Sequence, residues 1–98
     1  MFAIENPSTG KNEDKFERID DSQRDDILDR STEAYDAWRG TRIEERAAIL
    51  SRAADLYEER IDELAYHIGR EMGKLTRWAK AEVQIVADIY RYYACLLY

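Results

Sequence analysis

The chain has 98 residues, among them one cysteine, one proline, one histidine and four glycines. Each scarcity excludes something. A lone Cys95 can close no internal disulfide, so the sequence carries no sign of an oxidising compartment. No low-complexity linker and no internal repeat interrupts the chain. No run approaches the ~20 apolar residues of a membrane span, and the opening MFAIENPSTG lacks the basic and apolar regions of a secretory leader. A cytoplasmic location without a membrane partner is expected. Basic residues are outnumbered, 15 Lys and Arg against 21 Asp and Glu, for a formal net charge of −6. Acids recur from Glu13 to Asp29. Phosphate neutralisation needs clustered cations, so a nucleic-acid partner is not expected.

What is present is the balance of an ordinary globular chain, 45% hydrophobic and 37% charged, long enough for one modest domain. Near the start, Phe2–Asn6 and Asn12–Arg18 flank Pro7, which pre-sets a turn, and Gly10, which can close it. The pattern predicts a β-hairpin over 2–18. Asp20 stands three residues before Gln23, a capping-box spacing. Ile27, Leu28, Ser31, Ala34, Tyr35 and Trp38 then recur with helical period, predicting a helix over about 21–39. Thr41 with Glu44 repeats the capping signal, and Ile43, Ala47, Leu50, Ala54 and Tyr57 make one face of a second helix, about 42–58. Ile61, Leu64, Ala65 and Ile68 carry a third, about 60–72, which Gly73 would end in a left-handed cap. A fourth helix is predicted over about 76–95. Its apolar residues, Trp78, Ala81, Val83, Ile85, Val86, Ile89, Tyr90, Tyr92 and Tyr93, cover more than one stripe, as in a helix covered on several sides. One hairpin and three other helices offer little to cover it.

Three stretches invite a chemical reading. Gly69–Lys74, GREMGK, superficially resembles a phosphate-binding loop. It has three spacer residues where four are required, Leu75 where a Ser or Thr would hold magnesium, and a helix before it instead of a strand. A helix cap followed by a new helix is the reading that fits. Glu63, His67 and Glu71 share a helical face at i, i+4 and i+8 and could offer metal ligands, but one histidine with two glutamates is a weak signal, and a solvated, salt-bridged face is the reading that such spacing favours. Cys95 has no neighbouring base in sequence and reads as an ordinary thiol.

The ordered set NPSTG (6–10), AW (37–38), ERAAIL (45–50), AADLYEER (53–60), ELA (63–65), EMGK (71–74), AEV (81–83) and RYYA (91–94) resembles the amino-terminal segment of the NAD(P)-dependent aldehyde dehydrogenase superfamily. The resemblance spans about 3–94. The NPxTG hairpin and the EMGK variant are most similar to the succinate-semialdehyde dehydrogenase group. The resemblance implies a parent α/β enzyme of Rossmann type, several times longer and a homo-oligomer, whose cofactor is NAD or NADP. Its chemistry would be thiolate attack on an aldehyde carbonyl, hydride transfer to nicotinamide and hydrolysis of the thioester. None of the family's catalytic or cofactor motifs falls within this chain, so no residue is assigned a catalytic, cofactor-binding or metal role. Cys95 is not the family's nucleophile, and Glu71 and Lys74 are expected to be structural. After RYYA the sequence Cys95–Tyr98 departs from the family pattern, which suggests a truncation there. The catalytic domain and most of the cofactor domain are expected to lie outside the chain. The expected function is that of an amino-terminal scaffold within an aldehyde-oxidising enzyme. It would be inactive alone, its partner being the remainder of that enzyme or a second copy through the last helix. The alternative is an independent small helical protein that self-associates or binds a partner.

Overall fold

The computed structural model describes residues 2–96. Two strands, β1 (Phe2–Asn6) and β2 (Lys11–Phe16), form an antiparallel hairpin, followed by helices α1 (Asp21–Arg39), α2 (Ile43–Glu59), α3 (Ile61–Met72) and α4 (Thr76–Leu96). Asn6 builds the hairpin turn. Its carbonyl accepts from the Thr9 and Gly10 N–H groups at 3.2 and 2.8 Å, and its side-chain oxygen accepts from Ser8 N–H at 2.9 Å. Gly10 takes φ +68°, which a side chain would resist. Pairing stops at Phe16, opposite Phe2, so Glu17 and Arg18 fall outside the hairpin predicted over 2–18.

The capping box at the head of α1 forms as the sequence predicts. Gln23 N–H donates to Asp20 at 2.7 Å, and Asp20 N–H donates to the Gln23 side chain at 2.9 Å. The second box does not. Thr41 Oγ1 turns back to donate to the Trp38 carbonyl at 2.7 Å, finishing α1, and Arg42 takes the cap position of α2, its N–H donating to Glu45 at 3.2 Å. Thr41 is thus spent on the preceding helix, and α2 starts one residue later than 42. Arg60 is shared as the end of α2 and the cap of α3, so the joint between these helices is a single residue. Gly73 ends α3 with φ 71°, its N–H donating to the Gly69 carbonyl at 2.8 Å, the left-handed stop that the sequence predicts. The described part of α4 reaches Leu96, one residue beyond 95.

The core is a seam between α2 and α4, with α3 laid along it. Ala47 and Ala54 from α2, Ala65 from α3, and Ala79, Val83, Ala87 and Ala94 from α4 are its buried residues. Small side chains let the helix backbones approach, and no large side chain is fully buried among the described residues. Tyr57 and Tyr90 stack across the seam at 5.4 Å between centroids. Above them Arg91 of α4 reaches both Asp55, at 2.9 Å, and Glu58, while Gln84 donates to Glu58 at 2.9 Å. Lys80 of α4 pairs with Asp62 of α3 at 2.9 Å.

Helix α1 stands apart. It packs against no other described element and buries none of its residues. Ile27, Leu28, Tyr35 and Trp38, the face the periodicity marks as core, are all exposed. The radius of gyration is 17.5 Å, against about 13 Å for a compact chain of this length. The accessible surface is 7830 Å², against about 5,800 Å² for a folded monomer of the same mass. The chain is a layer of helices 16 Å thick in its shortest dimension.

Candidate functional site

Several of the chemically suggestive residues have structural partners. Gly69–Lys74 spans the last turn of α3 and its cap, so its amides run into a helix end and do not cradle an anion. Lys74 pairs with Glu82 of α4. Glu63 lies with Arg60, which donates to it through Nε at 2.8 Å and Nη2 at 2.6 Å; that bidentate contact holds its carboxylate below the ordinary glutamate range. His67 sits edge-on to Tyr66 and 3.5 Å from Arg70. Glu71 lines a shallow groove of about 210 Å³ together with His67, Glu82 and the apolar Tyr57, Leu64, Ile68, Val83 and Val86. Glu63 does not join them. No cluster of three or more His, Cys, Asp or Glu placed for a metal ion occurs among the described residues. Cys95 is exposed near the end of α4.

Two arginines carry more of the geometry than any of these, and sequence reasoning passed over both. Arg91 draws together Asp55 and Glu58, 36 and 33 residues earlier in the chain. Hydrogen bonds first from Arg91 and then from Gln84 hold the Glu58 carboxyl below its usual range, and Arg91 is correspondingly raised. Arg70 of α3 reaches the hairpin, with Nη1 2.7 Å from Asp14 and Nε 3.4 Å from Glu13. No local spacing signals either partnership.

The largest unsatisfied feature is apolar surface. On α4, Trp78, Ile85, Ile89, Tyr92 and Tyr93 point away from the seam and are exposed, as are Ile27, Leu28, Tyr35 and Trp38 on α1. A monomeric soluble protein rarely leaves such contiguous apolar surface in water, and its usual meaning is an interface. These exposed apolar faces of α1 and α4 are the most prominent surface feature of the described residues.

The family model described as "Aldehyde dehydrogenase family" matches residues 1–97. The chain belongs to the aldehyde dehydrogenase family. Among its relatives, the succinate-semialdehyde dehydrogenase [NADP(+)] of Deinococcus radiodurans is 45% identical over 92 residues, covering 94% of this chain and 19% of the relative. The D-glyceraldehyde dehydrogenase (NADP(+)) of Thermoplasma acidophilum is 36% identical, covering 91% of this chain and 20% of the relative. The solved structure of succinic semialdehyde dehydrogenase from Streptococcus pyogenes, in complex with NADP+, superimposes with a TM-score of 0.90 at 33% identity, over 96% of this chain and 21% of that one. The chain thus spans about a fifth of the length of the relatives it matches. The hairpin and the helical layer have the arrangement found within that solved enzyme, and the resemblance expected from the ordered motifs is confirmed.

Proposed function

We infer that this chain is the amino-terminal scaffold of an NAD(P)-dependent enzyme that oxidises an aldehyde to a carboxylic acid, with succinate semialdehyde the leading substrate. The observation that carries the reading is the 45% identity over nearly the whole chain to a fifth of an NADP-dependent succinate-semialdehyde dehydrogenase. The exposed faces of α1 and α4 agree with it, because a scaffold that packs under other domains must present apolar surface to them. The alternative, an independent helical protein that self-associates, has only those same faces in its favour.

The described residues do not fit a nicotinamide nucleotide. A dinucleotide site needs a strand running into a helix whose N-terminal amides receive the pyrophosphate, within a parallel sheet. Here the only described sheet is the two-stranded antiparallel hairpin, and the glycine pair 69 and 73 closes a helix. No catalytic step is assigned to this chain; binding of nucleotide, attack on the aldehyde and proton handling belong to other segments of the enzyme. The parent is taken to be a cytoplasmic homo-oligomer, and among the described residues no helix is long and apolar enough to cross a membrane.

The test compares the 98-residue chain with a longer protein that also carries the downstream family segments, following reduced-cofactor absorbance with NAD or NADP and succinate semialdehyde or other short aldehydes. Positioning of nicotinamide against the substrate is worth roughly 7–11 kcal/mol of the barrier, so a chain without that site should show no turnover. Turnover by the longer protein alone is the expected result. Measurable turnover or micromolar nucleotide binding by the 98-residue chain overturns the scaffold reading.

A further inference from the structure

A two-stranded hairpin is marginal in water unless it packs on something. Here it touches the helical layer through α3 alone among the described helices, and the contact is imperfect. A shallow, open pocket of about 220 Å³ lies between the turn residues Asn6 and Ser8 and Ala65, Gly69 and Arg70 of α3. Apolar packing is correspondingly thin: β1 contributes a half-buried Ile4, while Phe2 and Phe16 are exposed. Pro7 lies against Gly73, close enough that a Cβ on Gly73 would stand 3.3 Å from the Pro7 Cβ.

Against that thin contact stands one well-covered charge. The Arg70 side chain is only 15% exposed and pairs with Asp14 at 2.7 Å and Glu13 at 3.4 Å, two consecutive residues of β2. On a regular strand, consecutive side chains point to opposite faces. The register explains how both reach one guanidinium. Ile4 pairs with Asp14 and Glu5 with Asn12, so Glu13 is the extra residue of a β-bulge. A bulge re-aims a side chain. Glu13 is also braced from the hairpin side, accepting from Asn6 Nδ2 at 2.9 Å.

We propose that Arg70 and the bulged Glu13–Asp14 pair form an ionic clasp that docks the hairpin on α3, making residues 2–16 a separately opening unit whose closure depends on this contact. Arg70 is the positioning residue, and the bulge is what makes a two-carboxylate grip reachable. Undocking leaves the hairpin without a packing partner, so its cross-strand hydrogen bonds open with it, whereas α2 and α4 keep their own seam.

Hydrogen–deuterium exchange on the 98-residue chain tests this, comparing peptides from 2–16 with peptides from 43–59 and 76–96. Breaking a well-covered ion pair of this kind costs enough stability that Arg70→Met should speed exchange in the hairpin by about tenfold or more, with α2 and α4 within about twofold of the parent chain. Asp14→Asn, a change in the hairpin itself, should do the same to a lesser degree and keeps the question answerable if Arg70→Met fails to fold. Adding Asp14→Asn to Arg70→Met should speed exchange no further, since the contact is already lost. Unchanged hairpin exchange in Arg70→Met, acceleration spread evenly over all helices, or fully additive effects of the two substitutions would overturn the clasp. The readout is independent of catalysis, so it stands or falls separately from the enzyme assignment.

Discussion

At the scale of single residues, glycines 40 and 73 end α1 and α3 in different ways, and the difference is testable. Gly73 has φ 71° and is crowded by Pro7, whereas Gly40 has φ −83°, a conformation open to any residue, with its nearest prospective neighbour 3.5 Å away. Gly73→Ala forces a side chain into the left-handed region at a cost of roughly 1–2 kcal/mol and presses on the hairpin turn as well. Gly40→Ala should be neutral or stabilising by up to about 1 kcal/mol, because it restricts only the unfolded chain. Denaturant melts followed by helical circular dichroism would show the midpoint falling for the first variant and not for the second. The left-handed cap was legible in the sequence because glycine after a run of helical period has few other uses. Thr41 was not, since a threonine between two helices can serve the end of one or the start of the next, and only in the folded chain is its hydroxyl seen turned back to Trp38.

At the scale of elements, the α2–α4 seam joins a small-residue contact to a polar staple. A buried methyl contributes about 0.8 kcal/mol, against roughly 1.5–3 for a large aliphatic or aromatic side chain, so a core of six alanines and one valine is a weak hydrophobic anchor. The Arg91 cluster lies alongside it. Glu58 has a folded-state pKa below its ordinary 4.5, held there first by Arg91 and then by Gln84. The unfolded chain therefore binds a proton more readily than the folded one. The contribution is present above about pH 4.5 and is lost as pH falls through the lower folded value. The prediction is that α2 and α4 loosen in this acidic window, read as faster exchange in their amides. In Glu58→Gln or Arg91→Met that loosening should be weaker, and what remains would come from Asp55 and the other carboxylates. A pH response identical in all three proteins would rule out Glu58 as its source. Sequence spacing recovers helices because capping and 3.6-residue periodicity are local; Arg91 with Asp55 and Glu58 is a pairing across two elements, which periodicity does not encode.

At the scale of the whole molecule, the accessible surface exceeds that of a compact protein of equal mass by about a third, and α1 contributes its full circumference to it. Surface ion pairs such as Arg24 with Asp21 at 3.0 Å and Arg30 with Asp26 at 3.2 Å are worth only about 0.5 kcal/mol or less each, too little to replace packing. Isolated in solution, the chain should associate through the apolar faces of α1 and α4. Light scattering or sedimentation at low concentration should report species larger than 11.6 kDa, with broad thermal unfolding. A compact monomer that melts in one sharp transition would contradict the scaffold reading.

The amino-acid sequence by itself determined the element order, the hairpin turn around Asn6–Gly10, the caps at Asp20 and Gly73, and family membership, which lies in the order of short motifs from NPSTG to RYYA. All of these depend on neighbours within a few residues or on linear order. Only the tertiary structure decided which apolar stripe is satisfied. The periodicity of α1 marks Ile27, Leu28, Tyr35 and Trp38 as a core face with the same clarity as Ala47 and Ala54 of α2, yet the first set is exposed and the second is sealed against α4. Amphipathic periodicity states that a face seeks burial, and it is the position of the rest of the chain that determines whether anything covers it. The same limit hid the grip of Arg70 on Glu13 and Asp14, because a β-bulge is a property of register between two strands and leaves no mark on either strand alone.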